Sequence, residues 1–175
     1  MLNTIFLIGY MGAGKSVVGK LLSQINDFNF YDLDEYIEAK EGKKVSEIFN
    51  ENNEVYFRKI ENKYLYEISL LKENKIISTG GGTPCFQNNF KIINESPNTT
   101  SIYLKANIDT LVKRLKDSDS KRPLISHLND EFKLKEFITK HLFERSYYYE
   151  NAKIKISTDN LNPREITQLI TSKLA

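Results

Sequence analysis

The chain has 175 residues, a length that suits one domain with a single hydrophobic core over residues 1–175. Hydrophobic residues make up 40% and charged residues 27%, and no apolar run approaches a membrane span, so we expect no membrane partner. The net charge of +2, with lysines scattered among glutamates, argues against a nucleic-acid partner. The lone Cys85 cannot form an internal disulfide, and the first predicted strand leaves no room for a signal peptide, so we expect a cytoplasmic protein.

The first apolar run, Thr4 to Ile8, predicts a strand, and the residues Gly9–Ser16 directly after it read GYMGAGKS. They match the phosphate-binding loop G-x-x-x-x-G-K-[ST]. In that loop backbone N–H groups surround phosphate oxygens, the lysine reaches the β- and γ-phosphates, and the hydroxyl binds Mg2+. A glycine turn that binds no nucleotide is the alternative. We predict a nucleoside triphosphate site formed by Gly12, Ala13, Gly14, Lys15, Ser16 and Val17.

The helix predicted after this loop would bury one face, formed by Val18, Leu21, Leu22 and Ile25. Further apolar runs predict four short strands, at residues 28–33, 76–78, 101–104 and 154–156, separated by stretches of helical periodicity. This alternation predicts an α/β fold, a parallel sheet wrapped by helices, in which ligands bind beyond the carboxyl ends of the strands. Residues 116–128 are polar and lack periodicity, which predicts a mobile loop.

The second predicted strand ends in YDLDE, where Asp32 and Asp34 are two residues apart. On extended backbone both carboxylates would point the same way, toward the phosphate loop. Because Mg2+ favours oxygen ligands, we predict that Asp32 holds the ion together with Ser16, while Asp34 faces an acceptor hydroxyl. In the alternative interpretation, Asp34 only caps a helix that begins at Glu35.

The third predicted strand ends in STGGGTP, which contains Gly80, Gly81 and Gly82. Such a triplet indicates either a loop that needs positive φ or a backbone that closely approaches a ligand. Beside a phosphate loop the second interpretation is favoured, because a Cβ would then occupy the space of the substrate.

A helix predicted over residues 53–71 has an apolar side formed by Phe57, Tyr64, Ile68 and Leu71. Its polar side carries Glu54, Arg58 and Glu61 at i, i+4 and i+7. This spacing is typical of surface ion pairs, which are worth a few tenths of a kcal/mol each.

Two further arginines could bind anions. Arg145 continues the apolar stripe of a helix predicted over residues 131–150, a stripe formed by Leu134, Ile138 and Leu142. Its guanidinium should therefore face inward and need an anion there, and the two-point clamp of arginine on carboxylate suggests a small anionic acceptor. Arg122 lies in the polar loop, either as a solvated charge or as a lid arginine that closes on the phosphates.

Together these motifs resemble those of the shikimate kinases. The resemblance covers nearly the whole chain and rests on Gly9–Ser16, DLD at Asp32–Asp34, ExxFRxxE at Glu54–Glu61, GGG at Gly80–Gly82, RPL at Arg122–Leu124 and ERxxxY at Glu144–Tyr149. It implies a three-layer P-loop kinase fold with a five-stranded parallel sheet in order 2-3-1-4-5, a shikimate-binding segment at 33–61 and a mobile lid at 112–128. It also implies that ATP, with Mg2+, phosphorylates the 3-hydroxyl of shikimate in the route to chorismate and the aromatic amino acids.

The resemblance assigns roles to single residues. Shikimate would be bound by Asp34, Arg58, Glu61, Gly80, Gly81, Gly82 and Arg145. Of these, Asp34 would bind the hydroxyls and the two arginines would clamp the carboxylate, with Glu61 positioning Arg58. ATP would also contact Arg114 and Arg122, and catalysis would depend on Lys15, Asp34 and Arg122.

One departure from the family is Asn53, where a glycine is usual, and we expect only a local change in the turn. The segment 158–163 falls where the family packs a loop against adenine. We expect a monomer.

Three alternatives compete with this interpretation. A related kinase of another polyol acid, such as gluconate, shares the phosphate loop but gives no reason to combine DLD, FR and GGG with an inward Arg145. A nucleoside monophosphate kinase is less favoured. A GTP-dependent regulatory switch, from a different class, would need N-K-x-D and D-x-x-G, and neither string occurs in the chain.

Overall fold

The structure is a computed structural model that describes residues 3–117 and 130–174. Its strands are β1 (Thr4–Ile8), β2 (Asn29–Asp32), β3 (Lys75–Ser78), β4 (Thr99–Lys105) and β5 (Ile154–Ser157). They form one parallel sheet in the order β2-β3-β1-β4-β5. The predicted α/β fold and the predicted strand order are therefore confirmed.

Helices flank the sheet and fill the crossovers between its strands. They are α1 (Lys15–Asn26), α2 (Leu33–Glu41), α3 (Val45–Glu51), α4 (Glu54–Ser69), α5 (Asn89–Asn94), α6 (Ile108–Lys116), α7 (Glu131–Glu150) and α8 (Pro163–Leu174). A single 3₁₀ turn, Thr83–Cys85, precedes α5. No helix in the described ranges combines the length and the apolar character needed to cross a membrane.

The central position of β1 places the functional loops side by side. Every residue of β1 is buried, which is why it reads as a continuous apolar run rather than an alternating one. Ser78 of β3 is in register with Leu7 of β1 and with Asp32 of β2. The carboxyl ends of these three strands thus meet at one edge of the sheet, and the segments that follow them emerge together.

Two details of the predicted helix faces are wrong. Ile25 is 61% exposed rather than buried. It lies in the last turn of α1, one residue before the helix ends at Asn26. Leu71 is also exposed, because α4 ends at Ser69 and the chain has already left the helix.

Candidate active site

The loop at residues 9–16 has the backbone conformation that its glycines predict. Gly9, Gly12 and Gly14 all have positive φ, and Gly14 directly precedes the first turn of α1. At Gly9 a Cβ would also lie 2.6 Å from the carbonyl oxygen of Leu104. The loop therefore leads straight into a helix N-terminus, where free N–H groups and the helix dipole favour anions.

Lys15 is held inside this loop. Its Nζ donates hydrogen bonds to the carbonyl oxygens of Gly9 at 2.8 Å and Tyr10 at 3.0 Å. Lys15 is buried, with 8% of its surface exposed, and it lines a cleft. This position suits a cation that meets the phosphate groups of a nucleotide.

The cleft above the loop, the phosphate cleft, has a volume of about 500 Å³. Six of the predicted nucleotide-binding residues line it: Gly12, Gly14, Lys15, Ser16, Val17 and Arg114. Ala13 is buried and does not line this cleft. The structure thus brings most of the predicted site together around one cavity.

Ser16 and Asp32 form the pair that could hold a metal ion. The Ser16 hydroxyl donates to Oδ2 of Asp32 at 2.5 Å. The hydroxyl oxygens of Ser16 and Ser78 are 3.5 Å apart. Within the described ranges no three His, Cys, Asp or Glu side chains cluster as a metal cage. A few oxygen ligands suit Mg2+, which usually keeps several waters and binds substrate phosphates. The residues present therefore fit the predicted ion.

Asp32 also caps α2. Its Oδ1 accepts a hydrogen bond from the backbone N–H of Asp34 at 3.1 Å, and the helix begins at Leu33. The alternative in which Asp34 caps a helix beginning at Glu35 is therefore wrong. Asp34 lies in the first turn of α2 with its carboxylate available to the cleft.

The carboxyl group of Asp34 lies where two clefts meet. Burial, reinforced by the negative charges of Asp32 and Glu61, raises the pKa of Asp34 to about 6, although Lys15 and Arg58 oppose the shift. A carboxylate with such a pKa is ionised at neutral pH and holds a proton more readily than an ordinary aspartate. The arrangement is typical of a group that accepts a hydrogen bond or a proton from a substrate.

The second cleft, the acceptor cleft, has a volume of about 270 Å³. It is lined by Met11, Asp34, Val45, Phe49, Phe57, Arg58, Glu61, Gly80, Gly81, Gly82 and Arg145. All seven residues predicted to bind the acceptor are in this set. Met11, Asp34, Gly80 and Gly81 line both clefts, so the two cavities adjoin.

Arg58 is fixed by ionic and aromatic contacts. Its Nη1 donates to Glu61 at 2.9 Å, and its Nη2 donates to Glu54 at 3.1 Å. The ring centre of Phe86 lies 4.0 Å from the guanidinium carbon. Glu61 is only 1% exposed and also accepts from the hydroxyl of Thr83 at 2.6 Å. The interpretation of this stripe as surface ion pairs is therefore wrong for Arg58 and Glu61.

The three glycines after β3 let the backbone pack closely against neighbouring groups. Their φ angles are not positive, so the interpretation based on positive φ is wrong. A Cβ at Gly80 would lie 2.9 Å from the Thr83 hydroxyl, and one at Gly82 would lie 2.8 Å from Nη2 of Arg58. The backbone therefore passes directly against the polar groups that line the acceptor cleft.

Arg145 reaches the acceptor cleft from α7, facing inward as its place on the apolar stripe predicts. Its guanidinium carbon lies 5.5 Å from the ring centre of Tyr10, and its Nη1 lies 3.5 Å from the position of a Cβ on Gly81. No carboxylate in residues 3–117 or 130–174 is ion-paired with it. An inward cation without a protein counter-ion is suited to an anionic ligand.

Arg114 joins the phosphate loop to the segment that follows β5. It donates to the carbonyl oxygens of Gly12 at 3.3 Å and Thr158 at 2.8 Å. Arg122 lies outside the described residues, as does most of the segment 112–128 predicted as a lid. Residues 112–116 of that segment belong to α6.

Met11, Thr83 and Thr158 help to build the site, although none of them was predicted as a site residue. Met11 lines both clefts, Thr83 fixes Glu61, and Thr158 anchors Arg114. For Met11, its place inside the phosphate loop was a usable signal. Thr83 and Thr158 contact partners far away in the chain, so neither has a signal in its local sequence.

Comparison with known proteins identifies the family. A family model described as shikimate kinase matches residues 11–175. A curated shikimate kinase of Flavobacterium johnsoniae is 45% identical, over 99% of this chain and 100% of that protein. The crystal structure of a shikimate kinase from Bacteroides thetaiotaomicron is 34% identical and superimposes with a TM-score of 0.92, over 99% of each chain. A shikimate kinase from Acinetobacter baumannii in complex with shikimate has a TM-score of 0.88 and 29% identity, over 99% of this chain and 93% of that one.

Proposed function

The chain belongs to the shikimate kinase family, and we propose that it transfers the γ-phosphoryl group of ATP to the 3-hydroxyl of shikimate. One observation carries the proposal. Asp34 lines both the cleft above the phosphate loop and the cleft that contains Arg58 and Arg145. A hydroxyl bound beside Asp34 can therefore face a γ-phosphoryl group held by Lys15.

The contribution of the protein is positioning and electrostatics, because phosphoryl transfer needs little covalent chemistry from the enzyme. Asp34 accepts a hydrogen bond from the attacking hydroxyl and orients it, or takes its proton. Lys15 and the N-terminus of α1 stabilise negative charge on the phosphate oxygens. Ser16 and Asp32 would hold Mg2+, which supplies further charge neutralisation when bound.

The acceptor is selected by its carboxylate. Arg58 is already paired with Glu54 and Glu61, which fix its orientation, whereas Arg145 has no such ionic partner in the part of the chain described. A carboxylate on a small ring would supply the missing negative charge between the two guanidinium groups. The glycines at 80–82 would allow the ring to lie close to the backbone.

The proposal extends to the setting of the reaction. The enzyme uses Mg2+ with ATP, acts as a monomer in the cytoplasm, and serves the synthesis of chorismate and the aromatic amino acids. Arg122 closes on the phosphates from a lid, and residues 33–61 form the segment that binds shikimate. Size-exclusion chromatography with light scattering would test the monomer, and activity after chelation and readdition of Mg2+ would test the ion.

A coupled assay of ADP release tests the reaction itself. Shikimate, gluconate, AMP and buffer alone are offered as acceptors at equal concentration, with ATP and Mg2+. We expect release only with shikimate, and we expect GTP to be a poor donor. Equal turnover with gluconate or AMP would refute the assignment. The variant Lys15→Ala serves as the control for contaminating ATPases, because it should lose the activity.

A further inference from the structure

The side chain of Tyr10 lies between the phosphate loop and the helix that carries Arg145. Tyr10 is the second residue of the loop and is buried. Its hydroxyl lies 3.2 Å from Nδ1 of His141, and its ring centre lies 5.5 Å from the guanidinium carbon of Arg145. One aromatic ring therefore contacts two residues that stand one helical turn apart on α7.

The surroundings of Arg145 show why this contact matters. In residues 3–117 and 130–174, Arg145 contacts the rings of Tyr10 and Tyr149 and the backbone at Gly81, groups that carry no negative charge at neutral pH. A long side chain without an ionic partner keeps much of its rotamer freedom unless packing restricts it. The face of an aromatic ring attracts a guanidinium group, so the ring of Tyr10 restricts Arg145 to part of its range.

His141 in turn fixes the ring of Tyr10. A neutral imidazole can pair with a hydroxyl through either ring nitrogen, as donor or acceptor. Partial burial and the positive charges of Arg145 and Lys140 lower the pKa of His141 against the opposing charges of Glu144 and Glu54. The imidazole is therefore neutral at pH 7 and above. The ring of Phe137 also packs against the imidazole, with its centre 4.1 Å from that of His141.

We propose that His141 is a positioning residue for the acceptor carboxylate. By holding the hydroxyl of Tyr10, it keeps the aromatic ring against Arg145 and so orients the guanidinium group in the acceptor cleft before the ligand arrives. The inference rests on the proposed function, in which Arg145 binds the carboxylate of shikimate. Because preorganisation lowers the ordering cost of binding, its loss should weaken shikimate binding and leave the chemical step intact.

The test is a double-mutant cycle with Tyr10→Phe and His141→Phe, which remove the polar contact but keep both rings. Each single variant should raise the KM for shikimate about three- to tenfold, with kcat and the KM for ATP within about twofold of wild type. The double variant should resemble the more affected single variant, because both changes break the same contact. Tyr147→Phe, on an exposed part of α7, is the matched control and should match the wild type.

The outcomes separate this inference from the proposed function. If the wild-type protein shows no shikimate-dependent turnover, the proposed function fails. If the wild type is active and both single variants keep its KM for shikimate, or if their effects multiply in the double variant, the role of His141 is refuted. Thermal unfolding of each variant checks the fold. Should His141→Phe fail to fold, Tyr10→Phe decides the matter through its KM for shikimate.

Discussion

The phosphate cleft and the acceptor cleft of this protein are built in different ways. The floor of the phosphate cleft comes from one contiguous segment, residues 9–16, whose backbone and Lys15 make the important contacts. The acceptor cleft is assembled from side chains of α2, α3, α4 and α7 around the glycine segment at 80–82. A contiguous motif can be recognised from sequence by itself, whereas an assembled site becomes visible only when the strand order brings its parts together.

The two clefts also differ in how their charges are balanced. In the phosphate cleft, Nζ of Lys15 donates hydrogen bonds to two backbone carbonyl oxygens, which are neutral groups. In the acceptor cleft, Arg58 is bound to two carboxylates and Asp34 lies against Glu61. Changes in the first cleft should therefore act on nucleotide use and on the chemical step. Changes in the second should act mainly on the acceptor.

The largest effect is expected from Arg122→Ala, which tests whether the phosphate cleft is completed by a residue outside its loop. If Arg122 closes on the phosphates, kcat should fall by about two to three orders of magnitude, the scale of a lost transition-state donor. The melting temperature of the free protein should stay nearly unchanged. Arg164→Ala, which removes an exposed arginine on α8, is the control. An unchanged kcat would make Arg114 or Lys121 the next candidate.

Asp34→Asn tests the point at which the two clefts meet. The variant keeps the size of the side chain but removes its charge and its ability to accept a proton, so kcat should fall by roughly a hundredfold or more. Binding of ATP, measured by calorimetry, should survive. Asp109→Asn removes an exposed carboxylate on α6 and should leave kcat unchanged. Near wild-type turnover in a folded Asp34→Asn protein would contradict the role of Asp34.

A third variant, Arg58→Lys, probes the acceptor cleft alone. Lysine keeps the charge but loses the planar two-point geometry, so the KM for shikimate should rise at least about tenfold, or roughly 1.4 kcal/mol. The KM for ATP should change little, since Arg58 does not line the phosphate cleft. Arg164→Lys makes the same replacement at an exposed position and controls for it. If both KM values rose equally, the separation of the two clefts would be wrong.

The alternation of apolar runs with helical stretches predicts the α/β class, whereas the strand order follows only from the resemblance to the family. The sequence also names seven of the eleven residues that line the acceptor cleft, although only through the resemblance that several motifs carry together. What it does not indicate is the contact between distant side chains. The burial of Arg58 and Glu61 depends on Phe86 and Thr83, and the cap at Asp32 depends on where α2 begins. Such features follow from tertiary packing, which overrides the local spacing of a helical stripe.

The last prediction concerns thermal stability. It tests whether the folded protein holds the charged carboxylate of Asp34 in an unfavourable environment. Its pKa of about 6 lies above the ordinary value of 3.8, so ionisation is less favourable in the folded protein than in the unfolded chain. Ionisation of Asp34 should therefore subtract stability from the wild type as the pH rises from about 4 to about 6, a contribution that Asp34→Asn lacks. At pH 8 the variant should melt a few degrees higher than the wild type, while near pH 4 the two should converge.

Asp109→Asn, at an exposed position, should show no such gain. A melting difference between wild type and Asp34→Asn that is the same at both pH values would show that the charge of Asp34 costs no stability, because a difference linked to ionisation must shrink as the folded protein and the unfolded chain take up the proton.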